Sequence, residues 1–154
     1  MNILVVYDSQ FGNTEQVARA IAERLHRQGR VLLTTAEAAP RTVPAGLDLL
    51  VSGGPTQGYG ASPSLRRWLD GLEQVDGVPA ATFDTRFAKA AWLTGSAARV
   101  AARRLDRLGF RLVGAPESFF VAQSQGPLLD GELDRASEWA DALGNEVIVA
   151  TLSR

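Results

Sequence analysis

The sequence predicts an α/β domain built on a doubly wound, five-stranded parallel sheet. Three observations carry that prediction. The chain opens on a continuous apolar run, Ile3 to Tyr7, as a strand covered on both faces requires. Short apolar runs then alternate with segments of helical period, the signature of βαβ units. Loops rich in Gly, Asn, Ser and Thr follow the first and third apolar runs, at the ends where ligands sit on such sheets.

Each element follows in order. Asn13 to Gln28 reads as a helix, with Val17, Ile21 and Leu25 on one face beside Ala18 and Ala22. Asn13 is the expected cap, with Gln16 three residues on, and Gly29 the expected terminator. Val31 to Thr35 is the second strand, and residues 36–46, with Pro40, Pro44 and Gly46, form a loop. Leu47 to Ser52 is the third strand. Ser62 and Pro63 open a helix as cap and first residue, and Leu65, Trp68, Leu69 and Leu72 form its buried stripe. The fourth strand covers Ala80 to Phe83; Ala90 to Leu93 reads as a strand extension or a packed loop. Ser96 caps a helix through Leu108, with Val100, Leu105 and Leu108 inward and Gly109 after it. Phe110 to Val113 and Ser118 to Val121 form a fifth strand region, bent around Pro116. A last helix begins near Asp130 and turns Leu133, Ala136, Ala140 and Leu143 inward; the β-branched tail Val147 to Ala150 leaves its extent past Gly144 open.

The 154 residues, with no internal repeat, fit one domain spanning residues 1–154. A net charge of -1 provides no strong field for nucleic acid or an anionic membrane. The chain has no cysteine, which excludes disulfides, thiolate metal sites and cysteine catalysis and suits a reducing cytoplasm. The apolar N-terminal run lacks a basic leader and meets Asp8 too soon for a signal peptide, and no run has the length of a membrane span. A cytoplasmic protein is the expectation.

The chemistry concentrates in the loop Asp8-Ser9-Gln10-Phe11-Gly12-Asn13-Thr14. It leads from a strand into a helix N-terminus, where orphan N–H groups and the helix dipole favour an anion. Ser9 and Thr14 add hydroxyls, Asn13 an amide, and Gly12 permits close backbone approach. The loop has no Lys or Arg, so neutral donors would hold a phosphate there. No Gly-Lys-Ser/Thr follows, so it is not a P-loop, and the dinucleotide fingerprint G-x-G-x-x-G is missing from this turn. A monophosphate fits better than a pyrophosphate or triphosphate.

Ser9-x-x-Gly12-Asn13-Thr14 after a first strand resembles the FMN phosphate loop of the flavodoxin family, with Phe11 where members usually carry a small hydroxyl residue. Gly54-Pro55-Thr56-Gln57-Gly58-Tyr59-Gly60 is similar to the family's first flavin-flanking loop, whose aromatic stacks on the ring. Phe83-Asp84-Thr85-Arg86-Phe87 takes the position of the second flanking loop but lacks the usual Gly-Asp and stacking Tyr. The resemblance covers the whole chain by element order, and the uninterrupted fifth-strand region is that of short-chain members. It implies strand order 2-1-3-4-5, bound FMN and electron transfer with redox partner proteins. It also implies cofactor contacts from Ser9 to Thr14, from Pro55 to Gly60 and from Phe83 to Arg86.

Blander readings stand beside these. Ser9, Asn13 and Thr14 serve equally as helix caps, Tyr59 as an exposed loop aromatic, and Asp84 with Arg86 as a surface ion pair. Trp68 reads as core, and packing is the expectation for Trp92 and Trp139. His26, the one histidine, reads as a solvated helix end, and Arg99, Arg103 and Arg107 as a solvated stripe. Flavodoxins are usually strongly acidic, and this chain is nearly neutral. Two alternatives therefore stand beside the carrier: an FMN-dependent oxidoreductase of the quinone reductase or quinone-dependent protoporphyrinogen oxidase type, and a flavin-free binding module.

Overall fold

The opening apolar run forms β1 (Asn2–Tyr7). Its alternation sends Ile3, Val5 and Tyr7 to one face of the sheet and Leu4 and Val6 to the other, and both sets are buried. In a computed structural model that describes all residues from Met1 to Arg154, β1 lies between β2 (Arg30–Thr35) and β3 (Leu49–Gln57), parallel to both. β3 pairs in turn with β5 (Pro79–Phe87). β5 pairs first with β6 (Arg111–Leu112) and then with β7 (Glu117–Val121), all parallel. β6 and β7 follow each other along one edge of β5, so they amount to a single interrupted strand. The remaining strand, β4 (Gly60–Ala61), is a short antiparallel return on the end of β3. Counting the interrupted strand once, the order β2-β1-β3-β5-β6 is the expected 2-1-3-4-5 winding.

Helices α1 (Asn13–Leu25) and α5 (Glu132–Leu152) cover one face of the sheet; α2 (Pro63–Gly71) and α4 (Ala97–Arg107) cover the other. On the first face Phe83, Phe119 and Trp139 meet edge to face, with ring centroids 6.0 to 6.2 Å apart. Burying Phe83 and Phe119 fully contributes about 1.5–3 kcal/mol each. On the second face Trp68 is buried, and its indole N–H donates to the Pro40 carbonyl at 3.0 Å, tying down the loop after β2. No helix is long and apolar enough to cross a membrane.

Several boundaries differ from the sequence reading. The cap position of α1 is Gly12, at φ 91°, and Asn13 is its first helical residue. Ser9 does the capping: its Oγ accepts from the N–H groups of Gly12 at 3.1 Å and Glu15 at 3.2 Å. Gly29 does not stop the helix; it lies where a Cβ would collide with the Met1 backbone. β3 continues through Gly53 and Gly54 to Gln57, because Gly54 and Pro55 still pair with Asp84 and Thr85. Pro55 is tolerated there because pairing with β1 has ended at Gly53. β5 runs on to Phe87 for the same reason, matched by β7. Ala91–Thr94 is a short helix, α3, neither strand nor packed loop, and its Trp92 is 82% exposed instead of packed. In α5, Leu133 points to solvent and Glu132 takes the buried position, while the helix continues past Gly144.

Candidate functional site

The carboxyl ends of β1, β3, β5 and β7 surround a cavity of about 680 Å³, within the size range of small-molecule sites. The loop after β1 contributes Ser9, Gln10, Phe11, Asn13 and Thr14. The end of β3 contributes Pro55, Thr56, Gln57, Gly58 and Tyr59. From β5 come Thr85, Arg86 and Phe87, with Lys89, Leu93 and Thr94 beyond. Val121 and Ser124 close the side next to β7.

In the first loop, the left-handed conformation of Gly12 turns the chain into α1. With Ser9 Oγ accepting two N–H bonds, the N–H groups of Gln10, Phe11, Asn13 and Thr14 have no acceptor within the protein. The Asn13 amide, packed against Gly126, also makes no internal hydrogen bond, although the residue is buried. Thr14 Oγ1 lies 2.8 Å from Thr85 Oγ1, joining the first loop to the end of β5. If Thr85 donates, the Thr14 proton is left for a ligand. An orphan amide cluster at a helix N-terminus matches the phosphate of a mononucleotide.

The second loop is a tight hairpin. Thr56 pairs with Ala61 and Gln57 with Gly60, leaving Gly58 and Tyr59 as a two-residue turn. Both have positive φ, 52° and 67°, as a type I′ turn requires. Tyr59 is the only non-glycine residue of the chain in that region, and its side chain is 71% exposed. Strain of this kind persists when the surroundings impose it. Here Gly95, just before α4, packs on the Tyr59 backbone so closely that a Cβ would collide with it. The side chains of Gln10 and Gln57 join the first two loops through a 2.5 Å hydrogen bond.

The third predicted segment divides. Thr85 and Arg86 line the cavity. Phe83 does not: it is fully buried beneath Gly53, in the core on the α1 side. Asp84 does not either. Its carboxylate is fully buried, with Oδ2 accepting from Ser96 Oγ at 2.6 Å, Ala98 N–H at 3.1 Å and Thr56 Oγ1 at 3.3 Å. Gly60 also lies off the cavity, under the Arg66 guanidinium, and Gly12 serves through its backbone turn. Depth along β5 explains the split: Phe83 and Asp84 point to the two covered faces, and only the strand's tip, from Thr85 on, reaches the opening.

Arg86 and Asp84 are not a surface pair. Arg86 Nε sits 3.8 Å from Asp84 Oδ1 with the arginine side chain only 12% exposed. Arg86 donates through Nε to Ser118 Oγ at 2.9 Å and through Nη1 to Thr94 Oγ1 at 3.3 Å and to the Lys89 carbonyl. Its guanidinium also lies 5.2 Å from the Phe120 ring centroid. A fixed positive charge therefore borders the cavity, while no Asp, Glu or His lines it. No group of His, Cys, Asp and Glu side chains comes together as a metal site would require. The sequence reading missed Lys89, Leu93, Thr94, Val121 and Ser124; the polar, small run Gln123-Ser124-Gln125-Gly126 after a strand was the available signal for the last loop.

The chain matches the flavodoxin family over residues 5–142. No curated protein matches it. Among solved structures, it is similar to a flavodoxin from the domain Archaea, with a TM-score of 0.79 and 18% identity over 96% of this chain and 99% of that one. It is similar to oxidised flavodoxin 2 from Bacillus cereus, with a TM-score of 0.78 and 23% identity over 95% of this chain and 99% of that one. A short-chain flavodoxin associated with a non-canonical PDU bacterial microcompartment gives a TM-score of 0.77 and 15% identity over 96% and 99% of the two chains. At such identities the structural likeness establishes the fold. The match along nearly all of the sequence establishes the family: this chain belongs to the flavodoxins, whose cofactor is FMN.

Proposed function

We propose that this protein is an electron carrier that holds one FMN non-covalently in the cavity at the strand ends. The observation that carries the reading is the first loop, where four N–H groups and the Asn13 amide lack an acceptor at the start of α1. In this reading the backbone of that loop, Ser9, Asn13 and Thr14 bind the phosphate. The hairpin from Thr56 to Tyr59 flanks one side of the flavin ring, and the segment from Thr85 to Leu93 the other. FMN supplies one- and two-electron redox chemistry. The residues around it bind, orient and shield it. No Asp, Glu or His is among the lining residues, so the cavity offers no carboxylate or imidazole for proton transfer, which favours a carrier over a proton-transferring enzyme. The chain works in the cytoplasm as a single domain and exchanges electrons with partner proteins.

The test is to load the purified chain with FMN or riboflavin, titrate each by fluorescence, and then reduce the complex stepwise. FMN binding much tighter than riboflavin, with reversible reduction and negligible NAD(P)H oxidation, is the expected result. Rapid NAD(P)H oxidation with a quinone would make the protein an oxidoreductase. A chain that ignores both flavins would make it a binding module.

A further inference from the structure

The near-neutral net charge hides a separation of charge. Between Asp84 and Asp106 the chain carries no acidic residue and five basic ones, Arg86, Lys89, Arg99, Arg103 and Arg104. From Asp130 to Glu146, both included, it carries six acidic residues and one basic, Arg135. The first segment leads from the cavity mouth into α4, and the second is largely α5, on the opposite face of the sheet. The cavity mouth and the start of α4 are therefore locally basic, whereas on the α5 face Arg19 and Arg24 of α1 and Arg27 just after it, with the pairs Arg24–Asp141 and Arg135–Glu132, offset much of the acidic charge.

Part of the basic charge is taken up internally, since Arg86 faces Asp84 and Arg104 faces Asp70. Lys89, Arg99 and Arg103 are exposed and form no ion pair. Arg66, exposed on α2, joins them by lying over Gly60 at the foot of the hairpin. Both α2 and α4 start at the carboxyl edge of the sheet, which keeps Arg66 and Arg99 within about one turn of it. Amid these cations stand three exposed apolar side chains at the mouth: Tyr59 at 71%, Trp92 at 82% and Leu93 at 48%. An aromatic centre inside a charged rim is the anatomy of a transient protein interface.

We propose that this face is the docking surface for an acidic redox protein, one whose carboxylates surround the apolar edge of its own redox centre. Charge complementarity selects the partner's sign. The cations beside the mouth, Arg66, Lys89 and Arg99, draw such a partner toward the cavity. The aromatic centre favours a protein over a nucleic acid. The proposal rests on the electron-carrier reading, which supplies the reason for a partner at this mouth.

The test titrates the full chain, loaded with FMN where it takes it up, against three probes by calorimetry. These are a plant-type [2Fe–2S] ferredoxin as the acidic protein, cytochrome c as the basic one, and a short DNA duplex. The ferredoxin should bind tightest, and its affinity should fall as ionic strength rises to about 0.15 M, where the screening length is about 8 Å. Arg99→Glu with Arg103→Glu should weaken the ferredoxin about tenfold at low salt and strengthen cytochrome c. Trp92→Ala should weaken it without changing the salt dependence. Arg99→Gln with Arg103→Gln gives the same ordering, smaller, if the charge reversal fails to fold. Tighter binding of cytochrome c or DNA, or ferredoxin affinity unchanged by the arginine variants, overturns the docking surface. Electron transfer is read separately. Ferredoxin binding without electron transfer overturns the carrier reading alone. Electron transfer to small dyes with no preference for ferredoxin overturns the docking surface alone.

Discussion

Replacing Asp84 is expected to loosen the cavity from beneath. Its Oδ2 gathers Ser96, Ala98 and Thr56, three donors from two other elements, while Oδ1 has no hydrogen bond and faces Arg86 Nε at 3.8 Å. In Asp84→Ala the three donors lose their acceptor and the largely buried Arg86 guanidinium loses its countercharge while keeping its own hydrogen bonds. Each orphaned group costs about 1–3 kcal/mol, but the losses overlap, so about 3–5 kcal/mol is the expectation. Asp84→Asn keeps one oxygen where the donors converge and loses the charge. Bonds to a charged acceptor then become neutral ones, with a net loss of about 2 kcal/mol. Urea unfolding of the FMN-free protein measures both, because bound ligand would add its own stabilisation. With a slope of about 2 kcal/mol/M, the alanine variant should lower the midpoint by about 2 M. FMN affinity should fall as well, since Thr56 and Arg86 line the cavity and Asp84 positions both. A midpoint shift below about 0.5 M for Asp84→Ala, or equal shifts for the two variants, would refute the assignment of the carboxylate as the common acceptor.

Four further substitutions probe the site and its support. Thr14→Val should weaken FMN more than it weakens folding, by the roughly 1.5–3 kcal/mol of a charge-assisted bond; lost stability with retained FMN affinity would make the Thr14–Thr85 contact purely structural. Tyr59→Ala should lower FMN affinity and raise the fluorescence of the bound flavin, and unchanged fluorescence would move the stacking role to Trp92 or Phe87. Arg86→Ala should lower the second one-electron potential of the flavin by roughly tens of millivolts, since a fixed cation favours the reduced anion; spectroelectrochemistry at two salt concentrations checks it, and an unchanged potential would place the charge out of reach. Glu132 reports on acid stability. Burial would raise its pKa, but hydrogen bonds from Arg135 and from the Phe120 N–H outweigh that and hold the carboxyl below the usual range. Its contribution is therefore present above the unfolded value of about 4.3 and lost as pH falls through the lower folded one. Glu132→Gln should flatten that part of the acid-unfolding curve, and parallel curves would deny the carboxylate this role.

The local pattern of residues carried much of the architecture. The run Ile3 to Tyr7 determined a central strand, because a segment apolar at every position has to be covered on both faces. The period of Val17, Ile21 and Leu25 determined the buried face of α1, and Ser9 to Thr14 determined a turn with unpaired N–H groups at a helix start, because strand, turn and helix start are all encoded within a few neighbouring residues. What depended on distant partners was decided only on folding. Gly53-Gly54-Pro55 reads locally as the end of a strand, yet β3 continues because β5 supplies hydrogen bonds as far as Pro55. The length of a strand is set by its neighbour, not by its own residues. The same holds for Asp84: a carboxylate beside an arginine reads as a surface pair, and it is buried because Thr56 and Ser96, 28 and 12 residues away, bring donors that offset its desolvation. Val121 and Ser124 reached the cavity only because β7 pairs with the far end of β5, a register that no local pattern specifies.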